Sequence, residues 1–158
     1  KLPGKKQIQV WLKNEHSSDD VFDLLKLGTV GDSILTSPNF KIWRKFITQR
    51  INGDPDETMI LKLRDQYDEE ALAKLLLAAK TKGSTNNMAT NLQNEQFKQW
   101  YSDGYWPGDV VKSIFKRHGE PTVSEVNTKI RREYQTYMNK FYPDWFNHDQ
   151  KILITARS

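Results

Sequence analysis

The sequence predicts an all-α protein: tandem small helical bundles joined by a long linking helix. Three observations carry that expectation. Apolar residues recur at spacings of three and four in almost every segment. No segment alternates long enough to form a sheet strand. One ordered pattern (a Trp, a turn, a short apolar helix, a turn and a long helix bearing aromatics) occurs twice.

The elements follow in order. Ile8, Trp11 and Leu12 mark a short helix over about 6–14. Ser17, Ser18, Asp19 and Asp20 offer N-caps for a second helix carrying Val21, Phe22, Leu24 and Leu25. After a turn at 28–32, Ser37 and Pro38 suit the N-cap and first position of a third helix, whose Phe40, Trp43, Ile47 and Ile51 share a face. Asn52, Gly53, Asp54 and Pro55 end it. The linking helix is expected over 57–81 through Ile60, Leu63, Tyr67, Leu72 and Leu76, with Asp68, Glu69 and Glu70 offering a restart inside it. A loop at 83–87 precedes a helix over 87–101 with Ala89, Leu92, Phe97 and Trp100. Gly104, Pro107 and Gly108 break that helix, a short one covers 108–117, and residues 119–121 turn. Val126, Ile130, Tyr134, Tyr137 and Phe141 mark a last long helix that Pro143 ends. The tail run 151–155 has no assigned state.

Composition narrows the function. The chain has 158 residues, net charge +4 and a mean hydropathy of −0.76. Its 5 Trp, 6 Tyr and 7 Phe exclude a disordered chain and place much of the core in a few large rings. No apolar run approaches the ~18 residues of a membrane span. The cations are dispersed, densest at Lys5-Lys6 and Arg131-Arg132, so nucleic acid is not the indicated partner. The absence of cysteine excludes a disulfide scaffold and thiolate metal sites. The chain starts at Lys1 with no signal peptide, and an N-terminal part is expected to have been removed.

The repeat has a register. Trp11 to Phe22 lies on Trp100 to Val111 at an offset of 89, aligning Asp20 with Asp109, Val21 with Val110 and Leu25 with Ile114. After a turn two residues longer, Trp43 and Phe46 align with Tyr134 and Tyr137. Trp11 with Phe46, and Trp100 with Tyr137, are the expected core pairs.

At these residues the chain resembles the WY-domain core of the RXLR effectors that oomycete plant pathogens such as Phytophthora secrete. Trp11 and Trp100 match the family's Trp position, and Phe46 and Tyr137 its Tyr position. The run Asp20 to Leu27 is close to the family's sequence after the Trp. Leu63 to Leu76 and Ala89 to Trp100 resemble the added L segment of tandem LWY modules. The resemblance covers about residues 7–146 and implies a WY unit over 1–53 followed by an LWY unit over 54–158. Phe46 departs from the tyrosine, and Trp106-Pro107 stands where the first repeat has Ser17-Ser18. The resemblance implies a secreted virulence effector that acts in the host cell, in cytoplasm or nucleus. It would bind a host plant protein to suppress or redirect immunity. The phosphatase 2A scaffold subunit is one such partner for some LWY arrays.

Chemistry-bearing motifs are absent. No nucleophile elbow, P-loop, dinucleotide fingerprint or zinc-protease motif is present. His16, His118 and His148 lie far apart in predicted loops and read as solvated or capping residues. A calcium loop from Asp54 fails because Met59 stands where glycine is needed and Asp65 where glutamate is. No catalytic, cofactor or metal site is expected. Phe22-Asp23-Leu24-Leu25 fits an aromatic-x-x-aliphatic linear motif, but its spacing on a helix favours a core role. Tyr105 and Trp106 sit in a Gly-bounded loop where the first repeat is polar. They either cover a neighbouring element or stand exposed as partner anchors. Tyr142, Trp145 and Phe146 raise the same question. The expected function is non-enzymatic protein binding. The alternatives are a basic helical nucleic-acid-binding protein and an enzyme of unrecognised type.

Overall fold

The computed structural model describes residues 4–117, 120–121 and 124–147. His118, His148, part of the predicted turn at 119–121 and the tail run 151–155 lie outside the described residues. The chain forms α1 (Lys5–Lys13), α2 (Ser18–Leu24), 3-10 turns Leu27–Thr29 and Gly31–Thr36, α3 (Pro38–Ile51), α4 (Asp56–Gln66), α5 (Glu69–Lys80) and α6 (Asn86–Ser102). A single turn α7 (Pro107–Asp109), a π-helical stretch Val110–Ile114 and α8 (Glu125–Phe141) follow. The fold is all-α. Its strand pairing among the described residues is a two-residue antiparallel ladder, β1 (Lys116–Arg117) with β2 (Glu120–Pro121).

Two compact units partition the packing, 1–95 and 96–158, with the boundary inside α6. α4 and α5 lie in the first of these. Their Met59, Ile60, Leu63, Leu72 and Leu76 are fully buried in one cluster with Val21, Phe22, Trp43 and Phe46. The expected single linking helix is also two helices. Tyr67 is extended (φ −126, ψ 147), and Asp68 caps α5 by accepting from the Ala71 N–H at 2.7 Å. That side chain satisfies an orphan helical donor that a continuous helix would not expose.

In the first unit Trp11 meets Phe46 edge-to-face at 6.2 Å. Trp43 is fully buried between Phe22 at 5.0 Å and Phe40 at 5.7 Å. Its Nε1–H donates to the Ser18 carbonyl at 2.8 Å, so the indole's one polar group is satisfied. Phe22 and Leu25 are buried in the same core, which assigns the linear-motif match to packing.

In the second unit Trp100 packs on Phe97 at 5.3 Å, on Phe115 at 6.3 Å and on the fully buried Tyr134, edge-to-face at 5.3 Å. Tyr137 is the residue the repeat register sets as the partner of Trp100. The buried stripe of α8 runs Asn127, Ile130, Tyr134, Met138, in helical steps of three and four. Tyr137 falls on its flank, half-buried, and packs on Phe97 at 5.6 Å. Val126 and Phe141, which mark the same helix in the sequence, are exposed for the same reason. The Tyr134 hydroxyl donates to the Tyr105 carbonyl. Burial, with Tyr137 and Asp109 adding to it, pushes the phenol well above its ordinary pKa and keeps the proton on the donor.

Tyr134→Phe removes that donor and leaves a carbonyl unpaired. The expected loss is ~1–3 kcal/mol in chemical denaturation, with helical circular dichroism retained. A variant as stable as the parent contradicts the assigned hydrogen bond.

Candidate functional site

Both repeats end their Trp-bearing helix in the same way. α1 stops at Lys13, Glu15 turns left-handed (φ 58), and the His16 N–H donates to the Trp11 carbonyl at 3.1 Å while Glu15 N–H donates to Leu12 at 3.1 Å. α6 stops at Ser102, Gly104 turns left-handed (φ 88), and the Tyr105 N–H donates to the Trp100 carbonyl at 2.9 Å while Gly104 N–H donates to Tyr101 at 3.1 Å. Each is a Schellman turn with the Trp three positions from the helix end. Every partner obeys the offset of 89.

The next helix then starts at an equivalent cap. In the first unit Ser17 Oγ accepts from the Asp20 N–H at 3.0 Å, and Asp20 Oδ2 accepts from the Ser17 N–H at 2.9 Å. This reciprocal box holds the Asp20 carboxyl below its ordinary pKa, the backbone hydrogen bond from Ser17 being the leading cause. In the second unit Asp109 Oδ2 accepts from the Trp106 N–H at 3.0 Å. Trp106 has no side-chain oxygen to return the bond, so half the box survives. A hydroxyl cap contributes ~1 kcal/mol, and an indole stands in its place.

That indole lines an open groove of about 590 Å³ with Tyr101, Phe141, Tyr142, Pro143, Asp144 and Trp145. Tyr101 stacks on Tyr142 at 3.9 Å and meets Trp106 edge-to-face at 6.0 Å. Trp145 is largely buried and its Nε1–H donates to Asn139 Oδ1 at 2.6 Å. The structure thus brings together three of the expected partner-binding residues: Trp106, Tyr142 and Trp145. Phe146 is half exposed, edge-to-face on Trp145 at 5.9 Å, and is not among the groove-lining side chains. Tyr105 is half-buried and enters the site through its backbone carbonyl.

Sequence reading missed Tyr101, Phe141 and Asp144. Tyr101 carried a signal, because the repeat register sets it opposite Leu12. Phe141 reads in the sequence only as part of the last helix, and Asp144 carries no pattern at all.

Elsewhere, His16 lies 3.6 Å from Asp20 in the first-unit cap. No group of three metal-ligating side chains occurs among the described residues. No helix among them is long and apolar enough to cross a membrane.

No protein-family model matches the chain. It is 43% identical over 98 residues to the RxLR effector protein PSR2 of Phytophthora sojae, covering 61% of this chain and 15% of that protein. It is 31% identical over 143 residues to the RxLR effector protein PexRD25 of Phytophthora infestans, covering 87% of this chain and 47% of that protein. A further RxLR effector protein of P. infestans is 34% identical over 158 residues, or 96% of this chain and 22% of that one. The crystal structure of PcRxLR12 superposes with a TM-score of 0.67 at 27% identity, covering 89% of this chain and 33% of that one.

The chain belongs to the oomycete RxLR effectors. It spans less than half the length of each of these curated relatives. Within this effector chain, the groove is built on the part of the repeat that keeps the turn and gives up the cap.

Trp106→Ser recreates the Ser-x-x-Asp box of the first unit. Gain of the cap offsets loss of a half-buried ring, so stability is expected to stay within about 1 kcal/mol of the parent in chemical denaturation. A loss of ~3 kcal/mol or more would make the indole a core ring.

Proposed function

We propose that the chain is a target-binding part of a virulence effector that is secreted and enters the plant cell. There, in cytoplasm or nucleus, it binds a host protein and suppresses or redirects immunity without catalysing a reaction. The repeat supports reading residues 1–53 as a WY unit and residues 54–158 as an LWY unit. The observation that carries the binding reading is Trp106 at a helix N-cap, where local stability favours a hydroxyl. Residues that break a local rule on an otherwise consistent scaffold mark functional surface. Tyr101, Tyr142 and Trp145 beside it are of the types enriched at binding hot spots.

The displaced titratable groups among the described residues support a non-enzymatic reading. Asp20 is held low by its cap. Asp56 is pushed up by burial against the pull of Arg44 at 2.8 Å. Tyr67 is raised by burial where it donates to the Gly31 carbonyl at 2.6 Å. Tyr134 is the buried donor of the second unit. Each has a structural cause, and none of the four lines the aromatic groove.

The test is capture from plant extract with the parent chain and with Trp106→Ser in parallel, followed by mass spectrometry, with the phosphatase 2A scaffold subunit as the first partner sought. The variant is expected to fold normally and to retain at least tenfold less of a specific host protein, about 1.4 kcal/mol. Equal retention by both chains contradicts the groove as the binding surface.

A further inference from the structure

We infer that the outer face of α1 and α3 is a docking surface for an acidic segment of a protein partner, one that pairs carboxylates with an aliphatic side chain. The inference rests on the reading of the chain as a host-protein binder and gives that partner a chemistry. Neither helix contains an aspartate or glutamate. They expose Lys5, Lys6, Lys13, Lys41 and Lys45, and Gln9 joins Gln49 across them at 3.0 Å. None of the five ammonium groups pairs with a carboxylate within 4.0 Å among the described residues. The packing of the two helices brings Lys5 and Lys45 to one cleft and Gln9 to Gln49.

Four of these cations stand where local electrostatics disfavours them. Lys5 and Lys6 occupy the first turn of α1, at the positive end of the helix dipole, with no acidic residue there. Lys41 and Lys45 are a like-charge pair four residues apart on α3. An intramolecular role would have supplied acidic neighbours. A partner that brings carboxylates removes both penalties at once.

The cleft between the helices indicates what kind of polyanion fits. Lys5 and Lys45 rim a cavity of about 300 Å³ whose walls include Ile8, Ile42 and Gln49. An aliphatic side chain fills such a floor while flanking carboxylates meet the two ammonium groups. A phosphate backbone has no group for the apolar floor, and among the described residues the cleft lining contains no aromatic ring for base stacking and no arginine for a guanine edge. A membrane surface fits less well, because the apolar side of α1, Ile8 and Trp11, is buried in the core and cannot enter a bilayer.

Three probes distinguish the occupants: a labelled helical peptide bearing glutamate and leucine on one face, an RNA duplex, and phosphatidylcholine vesicles containing phosphatidylserine. Each is titrated with the whole chain at low and raised salt. The peptide is expected to bind more tightly than duplex or vesicles, and Lys5→Glu with Lys45→Glu is expected to weaken it by at least tenfold with helicity intact. Should that pair fail to fold, Lys5→Gln with Lys45→Gln is expected to weaken binding roughly threefold. Trp106→Ser is expected to bind the peptide like the parent, so failure here and failure of the aromatic groove are read separately. Tighter binding of duplex or vesicles, no peptide binding, or peptide binding indifferent to the lysine changes would each overturn the inference.

Discussion

Each unit of this effector chain depends on one interaction: the carbonyl of a core tryptophan accepts the N–H five residues later. That bond requires a left-handed residue just before the donor, which ends the helix and turns the chain back beside its own Trp. Trp11 with His16 and Trp100 with Tyr105 make it at 3.1 and 2.9 Å. The second unit uses Gly104 for the turn, at no steric cost, while the first uses Glu15 and tolerates the strain. The position of the Trp is therefore tied to the helix end as well as to the core.

One consequence follows from the fixed turn. The next helix must start two to three residues on, which places an N-cap at Ser17 and Trp106 and an aspartate at Asp20 and Asp109. In each unit one buried ring of the long helix also donates to a nearby carbonyl, at positions that are not equivalent in the repeat: Trp43 to Ser18 and Tyr134 to Tyr105. Beyond these shared bonds the units diverge. The first continues from α2 into 3-10 turns, the second through a π-helical stretch into a two-residue ladder. The first cap borders a pocket lined by His16, Asp20, Asp23 and Leu24, the second an aromatic groove. A framework held by backbone hydrogen bonds leaves side chains at the cap free to differ.

Much of this was legible in the sequence because the turn is local. Trp, left-handed residue, cap and aspartate occur within ten residues, so the offset of 89 could be read directly and every backbone bond obeys it. What the sequence concealed depends on contacts between distant segments. Tyr134 and Tyr137 both fit a helical face, and the stripe through Ile130 and Met138 decides between them. The break at Tyr67 was signalled by Asp68, but apolar periodicity on both sides masked it. α4 and α5 join the first core through Met59, Leu63 and Leu76, which no repeat register reveals. The groove was half legible: the question raised over Trp106, Tyr142 and Trp145 pointed to it, while Tyr101 of α6 and Asp144 after α8 carried no such signal. The basic face on α1 and α3 is a tertiary assembly of lysines that look scattered in sequence.

The most direct test of the shared turn is amide hydrogen exchange at His16 and Tyr105. Both amides sit in segments that would exchange quickly as ordinary surface loops. If the tryptophan carbonyl organises each unit, both should exchange as slowly as the core amides of α3 and α8, because opening either bond requires release of the buried ring. Exchange of either amide at the rate of an unprotected loop would contradict the account.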